Sequence, residues 1–245
     1  MKLVNAPLRV SITVDFEPDC PPYLSSTFRG IEEGAPELLA LFAEHGVRAT
    51  YFTTGQVAEL YPGAVRALVT AGHELGCHGV THTAFDTLSE ENARWEIESS
   101  AERLRGFAPV TSFRAPYLRF PERFVTLLEQ SGFLLDSSLA KYKRSYCAPR
   151  ANSTLARIPA TMTSSMLRLP AWIRDPWLAT FRDPVVLFVH PWEFVDLTGY
   201  DLRWDCRLGT GAPALASLGE VIRFFARRGA QFVPMRELAP SRAAA

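Results

Sequence analysis

The sequence predicts an α/β fold built on parallel strands, and three observations carry that expectation. Apolar, β-branched runs such as Leu8–Val14 and Val185–Val189 alternate with amphipathic stretches of helical period. The order strand, helix, strand, helix, strand in the first third of the chain implies parallel pairing with right-handed crossovers. Acids, histidines and an arginine follow directly after the apolar runs, where the C-terminal ends of parallel strands gather on one rim.

Composition narrows the classes. The chain has 245 residues, 47% of them hydrophobic, enough for one substantial core. Lys plus Arg number 26 and Asp plus Glu number 26, so there is no basic excess for nucleic acid. No apolar run reaches the roughly 18 residues that span a bilayer. Met1–Pro7 is too short and interrupted for a secretory signal, which makes the cytoplasm the expected compartment. Cys20, Cys77, Cys147 and Cys206 lack Cys-x-x-Cys spacing, so zinc-finger and thioredoxin readings fail and reduced thiols are expected. No repeat or linker divides the chain, so residues 1–245 are read as one domain.

The elements follow in order. Leu8–Val14 reads as a buried strand, ending in Asp15-Phe16-Glu17-Pro18-Asp19. Three acids there are costly to bury without a partner, and period 2 puts Asp15 and Glu17 on one face. Gly30–Gly46 has helical period with Gly46 as its stop. Val47–Thr53 is the second strand and Val57–Ala71 the second helix, stopped by Gly72. The strand His73–Cys77 then delivers His78 and His82, whose spacing of four on a helical turn would place both imidazoles on one face. Imidazole suits zinc, and a catalytic zinc keeps three protein ligands and an open position. Cys77 should point away from His78 and is read as packing.

Ser89–Gly106 is a charged amphipathic helix opened by Ser89. Thr111–Phe113 leads as a short strand to Arg114-Ala115-Pro116-Tyr117. Pro121–Gly132 is a helix with proline in its first turn, and Phe133–Ser138 an apolar strand delivering Asp136. Residues 140–183 are irregular and proline-rich, with short strands expected around Arg157-Ile158-Pro159 and Leu167-Arg168-Leu169. Trp172 and Trp177 there suit the floor of a sugar cleft, contact with a lipid headgroup region, or plain burial under a loop. Val185–Val189 delivers His190, bordered by Trp192 and Glu193. A helix, Ala212–Gly229, and a strand, Ala230–Val233, close the fold, and the tail Ser241–Ala245 is expected to be disordered.

Five motifs thus sit after strands: Thr13-Val14-Asp15-Phe16-Glu17, His78-Gly79-Val80-Thr81-His82, Arg114-Ala115-Pro116-Tyr117, Asp136-Ser137-Ser138 and Leu187-Phe188-Val189-His190. In this order the chain resembles the polysaccharide deacetylases (NodB-homology, carbohydrate esterase family 4), collinear over about residues 8–236. The resemblance implies an irregular (β/α) barrel of seven or eight strands. It implies hydrolysis of an N-acetyl or N-formyl amide on an amino sugar, nucleotide-linked, lipid-linked or in a cell-envelope glycan. Contact with a membrane would then be peripheral, through a lipid-linked substrate.

One divalent ion, zinc first, would be held by His78, His82 and an acid. The family's usual first motif has two adjacent acids, but Phe16 stands in the second place here. Glu17 is the favoured ligand, Asp19 its competitor, and a weakly held or absent metal the third case. Asp15 would be the general base, His190 the general acid, and the Tyr117 N–H an oxyanion donor. Arg114 would keep Asp15 ionised and oriented, and Asp136 would do the same for His190. Two other readings stay open: an amidohydrolase of the same fold acting on a small non-sugar amide, and an inactive sugar-binding homologue. Nothing in the sequence speaks to the oligomeric state.

Overall fold

The structure, a computed structural model, describes residues 6–143 and 154–239. Cys147 and the tail Ser241–Ala245 lie outside the described residues. Seven parallel strands curl in the order β6-β5-β4-β3-β2-β1-β7, and an eighth pairs with the start of β1. They are β1 (Arg9–Phe16), β2 (Thr50–Thr53), β3 (Glu74–Cys77), β4 (Ser112–Phe113), β5 (Leu135–Asp136), β6 (Ala156–Arg157), β7 (Val185–Val189) and β8 (Gln231–Phe232). The chain after β6 then bends round to β7, through a bridge between Met162 and Leu187 and a 2.7 Å bond from Thr161 N to Val186 O. The expected seven- or eight-stranded (β/α) barrel is therefore present, closed by a single bridge.

Register sorts the side chains into two faces. Val10, Ile12, Val14 and Phe16 of β1, with Tyr51, Leu75, Cys77 and Phe113, turn outward into the main apolar core. The helices that cover them are α1 (Ala35–His45), α2 (Gly55–Leu60), α3 (Pro62–Thr70), α4 (Glu90–Arg105), α5 (Val125–Gln130), α6 (Ser164–Leu167), α7 (Ala171–Leu178) and α9 (Ala212–Arg227), whereas Cys206 of the short α8 (Trp204–Arg207) packs in a smaller cluster with Cys20 and Trp192. On α9, Leu218, Val221, Ile222 and Phe225 are buried, the three-and-four spacing of a core-facing helix. Each such side chain contributes about 1.5–3 kcal/mol by leaving water.

The inner face is mixed: Ser11, Thr13 and Asp15 of β1 are polar, while Phe52, Leu135 and Val186 form a second, smaller apolar cluster. Thr13 pairs in register with Thr50, and Asp15 with Phe52. Lower in the barrel, the buried Glu74 accepts bonds from Thr50 Oγ1 (2.8 Å), Ser112 Oγ (2.5 Å) and the Arg236 amide (2.9 Å). A buried carboxylate tolerates such a place only when its oxygens are satisfied.

Several elements differ from the sequence expectation. The helix expected over 57–71 breaks into α2 and α3 at Tyr61, because the residue before Pro62 is driven out of helical geometry (φ −127°). The stretch from Gly30 opens as a wide turn, Gly30–Gly34, before α1 begins. Leu167–Leu169 is not a strand, since Leu167 ends α6. Trp172 and Trp177 lie on α7 at 78% and 54% exposure, so neither is buried, and neither lines the main cleft. Cys20, Cys77 and Cys206 are buried and unpaired. Among the described residues no helix is long and apolar enough to cross a membrane.

Candidate active site

The inner face of β1 carries the acids to the barrel rim. Phe16 turns outward into the core, so Asp15 and Glu17 turn inward together. Asp19 goes elsewhere. Its carboxylate accepts from the amides of Arg29 and Gly30 (2.8 Å each) and from Thr27 Oγ1 (2.7 Å), pinning the loop that leads to α1. With those bonds made, Asp19 has no part in the cluster formed by Glu17, His78 and His82. Asp19→Ala is expected to cost about 1–3 kcal/mol, the price of unsatisfied buried amides, read as a lowered urea midpoint. Loss of a bound divalent ion instead would make Asp19 a ligand.

His78 and His82 leave β3 on an irregular turn rather than a helix. Gly79 takes φ +80°, which a side chain would resist. The turn is held from two sides. Buried Glu96 of α4 accepts from the amides of Val80 (2.6 Å) and Thr81 (3.0 Å), and the first amides of α2 bond the carbonyls of Gly79 and Val80. As a result both imidazoles face Glu17: His82 Nε2 lies 2.6 Å and His78 Nε2 3.2 Å from Glu17 Oε2.

The trio fits a metal ion. His78 Nδ1 lies 2.7 Å from the Arg114 carbonyl, which only accepts, so Nδ1 carries the proton and Nε2 offers its lone pair. One ligand atom from each residue lies within 4.8 Å of the others, compatible with metal–ligand bonds of about 2.0–2.2 Å. Two imidazole nitrogens against one carboxylate oxygen need a proton or a cation between them. Burial pushes the Glu17 pKa up, but His82 and His78 outweigh it and hold the carboxyl well below its usual range.

Arg114 is fully buried and joins three strands. Its Nη1 donates to Asp15 Oδ1 and Thr13 Oγ1 (2.7 Å each), its Nη2 to Ser137 Oγ (2.9 Å), and its guanidinium lies 4.3 Å from the Phe52 ring centre. This is the expected Arg114–Asp15 partnership, with Asp15 fixed in direction.

Asp136 departs from expectation. It is paired in register with Phe113, whose ring is in the outer core, so its side chain leaves the inner face. There it meets Arg157 Nε at 2.9 Å and accepts from Ser138. Its motif reaches the site indirectly, since Ser137 holds Arg114 and Ser138 Oγ accepts from the Ala115 amide at 2.8 Å.

The partner of His190 is Glu193, three residues on. Pro191 turns the chain so that Glu193 Oε1 lies 2.8 Å from His190 Nδ1 and accepts from the His190 amide at 2.9 Å. Arg168, from the irregular region, backs the other oxygen at 3.2 Å. Trp192 stacks on the imidazole, with ring centres 4.8 Å apart and planes 19° apart. The segment is pressed into place by the turn before α1: an added Cβ at Gly34 would stand 2.1 Å from Pro191 O. Burial lowers the His190 pKa, but the Glu193 bond and the charges of Glu17 and Asp15 raise it to about 9. His190 Nε2 faces Asp15 Oδ2 at 3.9 Å and Glu17 Oε1 at 3.8 Å, separations that a shared water can bridge.

These groups open on a cavity of about 190 Å³, lined by Asp15, Glu17, His82, Tyr117, His190 and Trp192, with Arg203, Asp205 and Cys206 on one wall. Tyr117 sits edge-on to His82, ring centres 4.4 Å apart. Tyr117 and Leu118 both adopt left-handed backbone, φ +58° and +51°. For side-chain-bearing residues this costs about 1–2 kcal/mol each. The sequence marks Glu193 only as a neighbour of His190, and it does not single out Glu96 or Arg168. For Glu193 a signal existed, the short i, i+3 reach across a proline turn. For the other two there was none, as they act across long sequence separations.

Comparison with known proteins identifies the family and the fold. The profile of the family described as polysaccharide deacetylase matches residues 7–135. A peptidoglycan deacetylase of Helicobacter pylori is 34% identical over 124 residues, 49% of this chain and 42% of that one. A peptidoglycan-N-acetylglucosamine deacetylase of Bacillus cereus is 30% identical over 106 residues, 42% of this chain and 38% of that one. The chain thus spans less than half the length of these curated relatives. Among solved structures, a candidate polysaccharide deacetylase from Mycobacterium smegmatis superposes with a TM-score of 0.71 at 20% identity, covering 95% of this chain and 92% of that one. With the profile matching more than half its length and the fold shared throughout, this chain belongs to the polysaccharide deacetylase family.

Proposed function

We propose that the chain removes the acetyl group from an N-acetylated amino sugar in a glycan, N-acetylglucosamine in the first instance, with the help of a divalent metal ion. The observation that carries this reading is the convergence of Asp15, the Glu17–His78–His82 trio and His190 on one cavity at the C-terminal rim of the barrel. The names of the relatives support the sugar. Glu17, His78 and His82 would hold the ion, zinc first by donor type. When bound, such an ion polarises the amide carbonyl and makes a water more acidic.

The chain's own residues supply the proton transfers. Asp15, its Oδ1 tethered by Arg114, uses Oδ2 to take the proton of the attacking water. His190 gives the proton on Nε2 to the departing nitrogen, since an amine leaves poorly as an anion. Glu193 at Nδ1 keeps that ring turned toward the cavity and favours its charged form. The Tyr117 N–H steadies the developing oxyanion. Stacked Trp192 and edge-on Tyr117 narrow the cavity around the reacting group.

The test is release of free amine and acetate from N-acetylglucosamine oligomers and peptidoglycan fragments. Exhaustive chelation is expected to reduce turnover by about a thousandfold, matching several kcal/mol of lost stabilisation, and one equivalent of zinc to restore it. Turnover on small non-sugar amides but not on glycans would overturn the substrate assignment. Sugar binding without amine release would overturn the enzymatic one.

A further inference from the structure

We propose that Lys143 is a positioning residue for this reaction, a clamp that holds the left-handed turn at Tyr117 and Leu118 in its working shape. Its Nζ donates to the Tyr117 carbonyl at 2.6 Å and to the Leu118 carbonyl at 3.1 Å. One ammonium reaches two successive carbonyls only when both point the same way. In extended chain they alternate, whereas helical backbone at the residue between them, here Leu118 in its left-handed form, turns them to one side. The clamp therefore suits this turn, in which Tyr117 and Leu118 present both carbonyls to one ammonium.

The turn is where a clamp is needed. Side-chain-bearing residues avoid this region, so two in succession persist only if their surroundings impose it. Two amide bonds help, Leu118 N to Ala115 O at 3.1 Å and Arg119 N to Pro116 O at 3.2 Å, but both are local to the turn. Lys143 is the long-range tie, arriving from 26 residues away, and charge-assisted bonds are the stronger kind. Among the described residues no carboxylate lies within 4.0 Å of its ammonium, so the lysine serves the backbone and not an ion pair. Tyr117, Leu118 and Lys143 all line the reaction cavity. A shift of the turn would move the Tyr117 amide away from the oxyanion, and misplacement by about 1 Å costs on the order of a hundredfold in rate.

This inference rests on the deacetylase reading for its catalytic consequence, but the clamp can be tested apart from it. In Lys143→Met, kcat on an N-acetylglucosamine oligomer should fall by about tenfold or more, with KM within about twofold of wild type. Lys143→Arg should recover much of the loss. Adding Leu118→Gly to Lys143→Met should also recover turnover, because glycine takes left-handed backbone without the penalty. A Lys143→Met enzyme with unchanged kcat overturns the proposal, as does a loss carried by KM and indifferent to Leu118→Gly. Hydrogen exchange supplies the independent arm: the Leu118 and Arg119 amides should exchange faster in Lys143→Met. Unchanged exchange overturns the clamp whether or not the wild type turns over the sugar. An inactive wild type with faster exchange in the variant supports the clamp and overturns only the deacetylase reading.

Discussion

Asp15→Asn is expected to lower turnover by about 10²–10⁴-fold, the range for removing a positioned general base, while the fold and a bound metal persist. An amide takes no proton from water, so the attack loses its acceptor. The geometry explains why the fold should survive. Asn retains an oxygen able to accept from Arg114 Nη1, and Arg114 keeps Thr13 Oγ1, Ser137 Oγ and the face of Phe52. Asp15→Ala is the harsher change. It leaves a fully buried guanidinium with neither the charge nor the acceptor oxygen that Asn retains, and broken buried pairs cost about 3–5 kcal/mol. The two variants should therefore be alike in lost activity and unlike in urea midpoint. Metal content by atomic absorption should stay at the wild-type level in Asp15→Asn, because Glu17, His78 and His82 remain. An Asp15→Asn enzyme with more than a tenth of wild-type turnover would remove Asp15 from the role of base.

What was legible in the sequence follows from how local each signal is. Val185–Val189 and the histidine after it stand where the apolar run predicts them, since a fully buried parallel strand leaves an unbroken apolar stretch. The inward pair Asp15 and Glu17 follows from period 2 once Phe16 is seen to belong outside. Asp136 misled because β5 has only two residues in the sheet. A strand that short shows where a residue falls along the chain, but its parity is set by pairing with Phe113, a contact 23 residues away. The choice between Glu17 and Asp19 was likewise tertiary. Asp19 is excluded by the amides of Arg29 and Gly30, which no spacing rule connects to it. Glu96, Arg168 and Lys143 shape the site across 15 to 26 residues, and nothing periodic announces them.

Glu193→Gln is expected to move the alkaline limb of the kcat profile toward lower pH by about one to two units, the equivalent of a charged hydrogen bond worth about 1.5–3 kcal/mol. In the wild type, burial disfavours the imidazolium, but Glu193 first and then Glu17 and Asp15 lift the His190 pKa to about 9. The sign follows directly. His190 is protonated, and able to donate, below that value, and activity falls as pH rises through it. Its favourable contribution to folding is likewise present in full below the ordinary histidine value near 6.5 and is lost by the same pH. Glutamine still accepts from Nδ1 but withdraws the negative charge, so the imidazolium loses its nearest support and Arg168 its ion pair. A cation on Glu17 cancels part of the lift in wild type and variant alike, lowering both limbs and leaving their separation. Turnover should differ little near pH 6 and diverge steeply above pH 8. Asp136→Asn supplies the contrast, because its carboxylate meets Arg157 and not His190: it should leave the alkaline limb where it is. If Asp136→Asn moves the limb and Glu193→Gln does not, the proton on the leaving amine comes by another route than the His190–Glu193 pair.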